Sequence, residues 1–182
     1  MRKVLIAIAE GTEEMETVIT TDVLRRAGWE IAIASISPAP VTCSREVRIV
    51  PDCEWREADP LEYDALVIPG GAPGVERLME DGRVLEALRI FDECGKWICA
   101  VCAGPLVLQA AGILKNQRLT CHPAVKEDLH AGIWLDEPVV RDGHLITSQG
   151  PGTCFDFALS IVSALENPDA ARKIARGMVF EF

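Results

Sequence analysis

The sequence predicts an α/β fold with a mostly parallel central sheet and helices on both faces. Apolar runs of strand length alternate with stretches whose apolar residues recur at helical spacing, and repeated strand–helix units imply parallel strands joined by crossovers. The 182 residues fit one domain, 1–182, and neither an internal repeat nor a low-complexity linker divides it. No apolar run approaches the roughly 20 residues needed to cross a bilayer.

The first strand is Lys3 to Ala9. Met1-Arg2-Lys3 followed by an apolar run superficially resembles a secretion signal, but the run is short and the acidic Glu10-Gly11-Thr12-Glu13-Glu14 follows it. Met15, Val18, Ile19, Val23 and Leu24 then mark a helix that closes at Gly28, a natural residue after a helix end. Glu30 to Ile36 reads as a second strand, Val47 to Val50 as a short one, and Asp64 to Ile68 as a buried one ending in Pro69-Gly70-Gly71. Helical patterning covers Val75 to Met79 and Arg83 to Cys94. A buried strand from Trp97 runs into Cys102, and a helix covers about Gly104 to Ala111. Arg118 to Cys121 suggests a further strand closed by His122-Pro123, and Val139 to Ser148 a hairpin with a type I′ turn about Asp142-Gly143. A late helix through Phe155, Ala158, Leu159, Val162 and Leu165 ends near Asn167-Pro168, and Ala170 to Met178 forms a last one.

Hydrophobic residues make up 49% of the chain and charged ones 25%, which suits a soluble globular protein. The net charge of −10 argues against nucleic acid or an anionic membrane as the main partner, because phosphates require a basic footprint. Seven cysteines at scattered spacing suggest free thiols in a reducing cytoplasm rather than a disulfide frame. Cys99 and Cys102 form a C-x-x-C, but without a second pair it makes no zinc site, and no metal is expected.

Chemistry is concentrated where strands end. In an open α/β sheet ligands bind beyond the carboxyl ends of the strands. Glu10 to Glu16, Pro69 to Gly71, Cys102 to Gly104 and His122 all fall there, so four segments converge on one edge. Cys102 sits between a buried strand and a helix start, where unpaired N–H groups stabilise a thiolate; read alone, it fits a small buried hydrophobe equally well. Gly71 and Ala103 could supply backbone N–H groups to an oxyanion, or Gly70-Gly71 could be a plain turn. One of Glu13, Glu14 and Glu16 could turn inward beside the sulfur, where it would have to hold a proton; spacing does not choose among them. His122 could pair with the thiol or serve as a satisfied polar residue beside Pro123, whereas His130 and His144 fall in surface segments.

Glu13-Glu14-Met15-Glu16-Thr17-Val18, Pro69-Gly70-Gly71, Cys102-Ala103-Gly104-Pro105, His122-Pro123 and Thr147-Ser148-Gln149-Gly150-Pro151-Gly152-Thr153 together resemble the ThiJ/PfpI superfamily, in its Parkinson disease protein deglycase branch. The similarity runs in order from about Lys3 to Leu165. It implies a flavodoxin-like sandwich and a homodimer. It also implies a reactive cysteine at Cys102, a protonated acid at Glu16, backbone donors at Gly71 and Ala103, and an active-site histidine at His122. Cys43-Ser44-Arg45 matches an interface segment whose arginine reaches toward the partner's site, with Arg25 nearby. Val50 stands where that branch has a further interface cysteine.

The resemblance implies a cofactor-independent cysteine enzyme of glyoxalase or deglycase type, acting on methylglyoxal, glyoxal and their adducts with proteins. A redox-sensing chaperone, in which Cys102 is oxidised to a sulfinate without turnover, needs the same residues. A peptidase would need an acid partner for His122, and thiamine-precursor synthesis would need a phosphate loop; neither is legible.

Overall fold

Eleven strands and six α-helices build the molecule, and the computed structural model describes residues 1–182. In chain order they are β1 (Lys3–Ile8), α1 (Glu14–Arg26), β2 (Glu30–Ser35), β3 (Val41–Thr42), β4 (Arg48–Ile49), β5 (Cys53–Glu54) and β6 (Ala65–Ile68). There follow α2 (Ala72–Glu80), α3 (Gly82–Glu93), β7 (Trp97–Val101), α4 (Pro105–Ala110), β8 (Arg118–Leu119) and β9 (Ile133–Trp134). The chain is completed by β10 (Val139–Asp142), β11 (Leu145–Ser148), α5 (Cys154–Leu165) and α6 (Pro168–Gly177).

Seven strands form one sheet in the order β10-β11-β7-β6-β1-β2-β5. Every pairing in it is parallel except β10 with β11, as expected of strands fed by helical crossovers. β1 explains why its apolar run is unbroken. Val4, Ile6 and Ile8 face a core built with α1, α5 and α6, while Leu5, Ala7 and Ala9 face a second core built with α2, α3 and α4. A strand buried on both faces has no polar side to alternate with.

Three short elements differ from the sequence reading. The strand expected at Val47 to Val50 is β4, which pairs antiparallel with β3 in a separate two-stranded ribbon. The one expected at Arg118 to Cys121 shrinks to β8 and pairs with β9, outside the main sheet. The β10–β11 turn is Gly143-His144, since Asp142 pairs with Leu145. Only Gly143 has positive φ, +59°, which is the signature of type II′ rather than I′.

Candidate active site

Cys102 follows β7 directly and adopts φ +62°, a left-handed conformation that costs a non-glycine residue about 1–3 kcal/mol. Its surroundings hold it there. The Cys102 N–H donates to the Ser148 carbonyl (3.0 Å), the His122 N–H donates to the Cys102 carbonyl (2.9 Å), and the Gly104 N–H closes the turn on Val101 (2.8 Å). The sharp bend therefore lies at the cysteine itself, one residue before the small pair Ala103-Gly104. Gly104 is constrained as well, since a Cβ there would lie 2.5 Å from the Ile68 carbonyl oxygen.

Glu16 lies in the first turn of α1 and is completely shielded from solvent. Its Oε2 accepts the Gly70 N–H at 2.6 Å, while Oε1 is buried with no partner. Burial raises the carboxyl from its ordinary value to about 7, with the Glu13 charge adding to the effect, against the lowering pull of Gly70 and Cys102. The neighbouring acids have other tasks. Glu13 caps α1 by accepting the Glu16 N–H (2.7 Å), and Glu14 turns away to accept the Ser44 hydroxyl and the Arg45 N–H.

The Cys102 thiol is half-buried and pushed up to about 12 by burial first, then by the charge and hydrogen bond of Glu16. The N–H groups of Gly71 and Ala103 act on the sulfur in the opposite sense. Burial first, and then Glu16, act against the thiolate that a helix start would favour, and α4 is only six residues long. The acid and the thiol therefore form one coupled unit in which the thiolate becomes accessible when Glu16 holds the proton.

His122 reaches this corner although β8 lies outside the main sheet. Its backbone is tied to Cys102, and the preceding Thr120 N–H donates to the Thr147 hydroxyl (2.8 Å). The ring Nδ1 accepts the Ala124 N–H at 3.1 Å. A neutral ring bonded in this way carries its proton on Nε2 and offers a donor, so His122 is not set up as the base for the thiol. No carboxylate pairs with it; the histidine that has one is His144, 3.0 Å from Asp92 and away from this corner.

The expected anion pocket is not assembled within one chain. Arg25 pairs with Asp52 (2.9 Å) and caps the Ile31 carbonyl, about 14 Å along α1 from Glu16 at 1.5 Å per residue. Cys43 is buried, and burial together with Glu14, Glu13 and Glu10 pushes its thiol up to about 11, a field hostile to anions. Arg45 is exposed, pairs with no carboxylate, and donates to the Ser44 carbonyl (3.1 Å). Sequence reasoning passed over Gly70 and Ser148 as site residues. The Gly-Gly pair was a visible signal for the first, and the Thr147-to-Thr153 motif for the second.

The DJ-1/PfpI family matches residues 2–164, most of the chain and every residue of this corner. The chain belongs to the DJ-1/PfpI family. It is 40% identical over 185 residues to the Parkinson disease protein 7 homolog of Danio rerio, covering 99% of this chain and 98% of that one. It is 41% identical over 169 residues to the glutathione-independent glyoxalase DJR-1.2 of Caenorhabditis elegans, covering 92% and 90%. Among solved DJ-1 structures, Drosophila melanogaster DJ-1beta superposes with a TM-score of 0.96 at 37% identity, covering 100% of this chain and 99% of that one. Oxidised Toxoplasma gondii DJ-1 gives 0.95 at 33%, covering 100% of both. The flavodoxin-like α/β fold is therefore that of DJ-1.

Proposed function

We propose that this DJ-1/PfpI chain is a cofactor-independent glyoxalase or deglycase of the reactive-carbonyl response. The carrying observation is the buried Glu16 carboxyl set against a strained Cys102, with two backbone N–H groups aimed at the sulfur. Near neutral pH the pair shares one proton, and the form with neutral Glu16 and ionised Cys102 is the nucleophile. The thiolate attacks the aldehyde carbon of methylglyoxal to form a hemithioacetal. The Gly71 and Ala103 N–H groups, which first hold the sulfur charge, then lie beside the new oxyanion. Glu16 gives its proton to that oxygen, then as a carboxylate takes the proton from the first carbon and returns it to the second. Water cleaves the C–S bond of the resulting lactoyl thioester, so that methylglyoxal plus water gives lactate and the free thiol. His122 donates from Nε2 to a substrate oxygen. The C. elegans relative is named as a glyoxalase, which supports this reading. Glycated proteins enter the same scheme through their carbonyl adducts. In the test, lactate formation from methylglyoxal falls roughly 100-fold or more in Cys102→Ala. Equal rates for the two proteins exclude the enzyme.

The second reading, a redox-sensing chaperone, draws on the same orphan acid, since neutral Glu16 can donate to a sulfinate on Cys102. Peroxide titration followed by intact mass separates the two. A two-oxygen adduct confined to Cys102, without lactate formation, favours the sensor.

The chain acts as a homodimer in this proposal. Met15 and Val18 on the outer face of α1, and Val47 and Val50 flanking β4, are apolar yet exposed. Seven free thiols fit a reducing compartment such as the cytoplasm, and no helix is long and apolar enough to cross a membrane.

A further inference from the structure

Gly70 lies between the two groups on which the chemistry depends. Its N–H donates a short hydrogen bond, 2.6 Å, to Glu16 Oε2. Its carbonyl accepts the Glu13 N–H (3.0 Å) and the Thr12 hydroxyl (3.3 Å), which fastens the start of α1 to the end of β6. The space where a side chain would begin is filled by the site. A Cβ on Gly70 would lie 2.6 Å from Cys102 Cβ, 2.8 Å from Glu16 Oε2 and 3.0 Å from Cys102 Sγ. Gly71 differs in kind: its φ of +87° and its crowding against the Gly11 carbonyl explain that glycine by the backbone alone. Gly70 has no positive φ, so its missing side chain answers to the acid and the sulfur.

We propose that Gly70 is the positioning residue of the acid–thiol pair: its N–H aims the Glu16 carboxyl, and its bare Cα lets carboxyl and sulfur touch. The inference rests on the acid–thiol reading above and deepens it. A methyl group at this point must push either the carboxyl or the sulfur aside, and either movement uncouples their protons. Gly70 itself touches no substrate and acts through Glu16.

The test follows the rate of Cys102 alkylation by iodoacetamide against pH. For the native protein the rate climbs, levels as Glu16 gives up its proton near pH 7, and climbs again when the thiol ionises beside a carboxylate. In Gly70→Ala the level region disappears and a single rise remains. Combined with Glu16→Gln, the glycine substitution changes the rate by less than about twofold, because both act on one interaction. A level region that survives in Gly70→Ala, or independent multiplicative effects in the double variant, overturns the role of Gly70 and leaves the pair intact. A native profile without the level region instead removes the pair itself. Should Gly70→Ala fail to fold, the Gly70 amide in the native protein is followed by NMR. A titration centred near pH 7 that vanishes in Glu16→Gln supports the assignment, and a flat amide overturns it.

Discussion

Glu16 places a carboxyl where ionising it is costly, and that cost links stability to pH. Its folded value of about 7 lies above the unfolded value near 4.5, so the native state keeps a proton that the unfolded chain has already lost. Stability contributed by this group is complete below pH 4.5 and is lost as pH rises toward 7, by about 3 kcal/mol in all. Glu16→Gln cannot ionise and escapes the loss. Urea denaturation at pH 4.5 and pH 8 should find the Gln variant gaining on the native protein by up to that amount; an unchanged difference would mean the acid is hydrated. That Glu16 has this role was beyond a reading of spacing. Positions 13, 14 and 16 point in different directions around α1, and only contacts from elsewhere decide which of them meets the thiol. Gly70 supplies that contact from a segment 54 residues away.

The turn between β3 and β4 is held by one side chain of α1. Both Glu14 oxygens receive the Arg45 N–H, at 2.9 and 3.1 Å, and the Ser44 hydroxyl adds a third bond at 3.1 Å. Glu14→Ala leaves these donors unsatisfied and should cost about 1–3 kcal/mol. The amide of Arg45 should then exchange with deuterium at least tenfold faster, while amides of β1 keep their protection. Equal exchange at Arg45 would show that the ribbon is held by other bonds. How far the elements were legible follows the same physics. β1, β2, β6 and β7 are buried runs whose composition announces them, and the helices carry their own period and end signals. β3, β5 and β9 have two residues each and no period of their own. They exist because of what lies beside them, as β5 does by pairing with Ala34 and Ser35 of β2. The pairing of Arg25 with Asp52 at the far end of α1 is of the same kind, a contact that no local pattern announces.

Taken as a whole, the chain has two cores, with apolar side chains exposed on α1 and on a face beside β4. If that face joins two copies, Val50→Glu, at a side chain 76% exposed in the single chain, should convert a dimer to a monomer in sedimentation velocity with no change in circular dichroism. A native protein that sediments as a monomer at micromolar concentration would end the dimer proposal. Arg45, without a carboxylate partner in its own chain, would then have no neighbouring site to serve. That Glu16, Gly70 and Cys102 meet at one corner was legible at this level because strand ends in a parallel sheet lie on one side, whatever the loops do.

The two margins of the main sheet carry a consequence for how this protein resists clumping. On one side β5 offers only two residues, and on the other β10 has the β8–β9 ribbon beside it, with the Arg118 N–H donating to Asp142 at 2.8 Å. Neither margin leaves a long row of open amides for a stranger to zip onto, so copies that meet in a crowded solution have helices to greet one another with and little template for fibril growth.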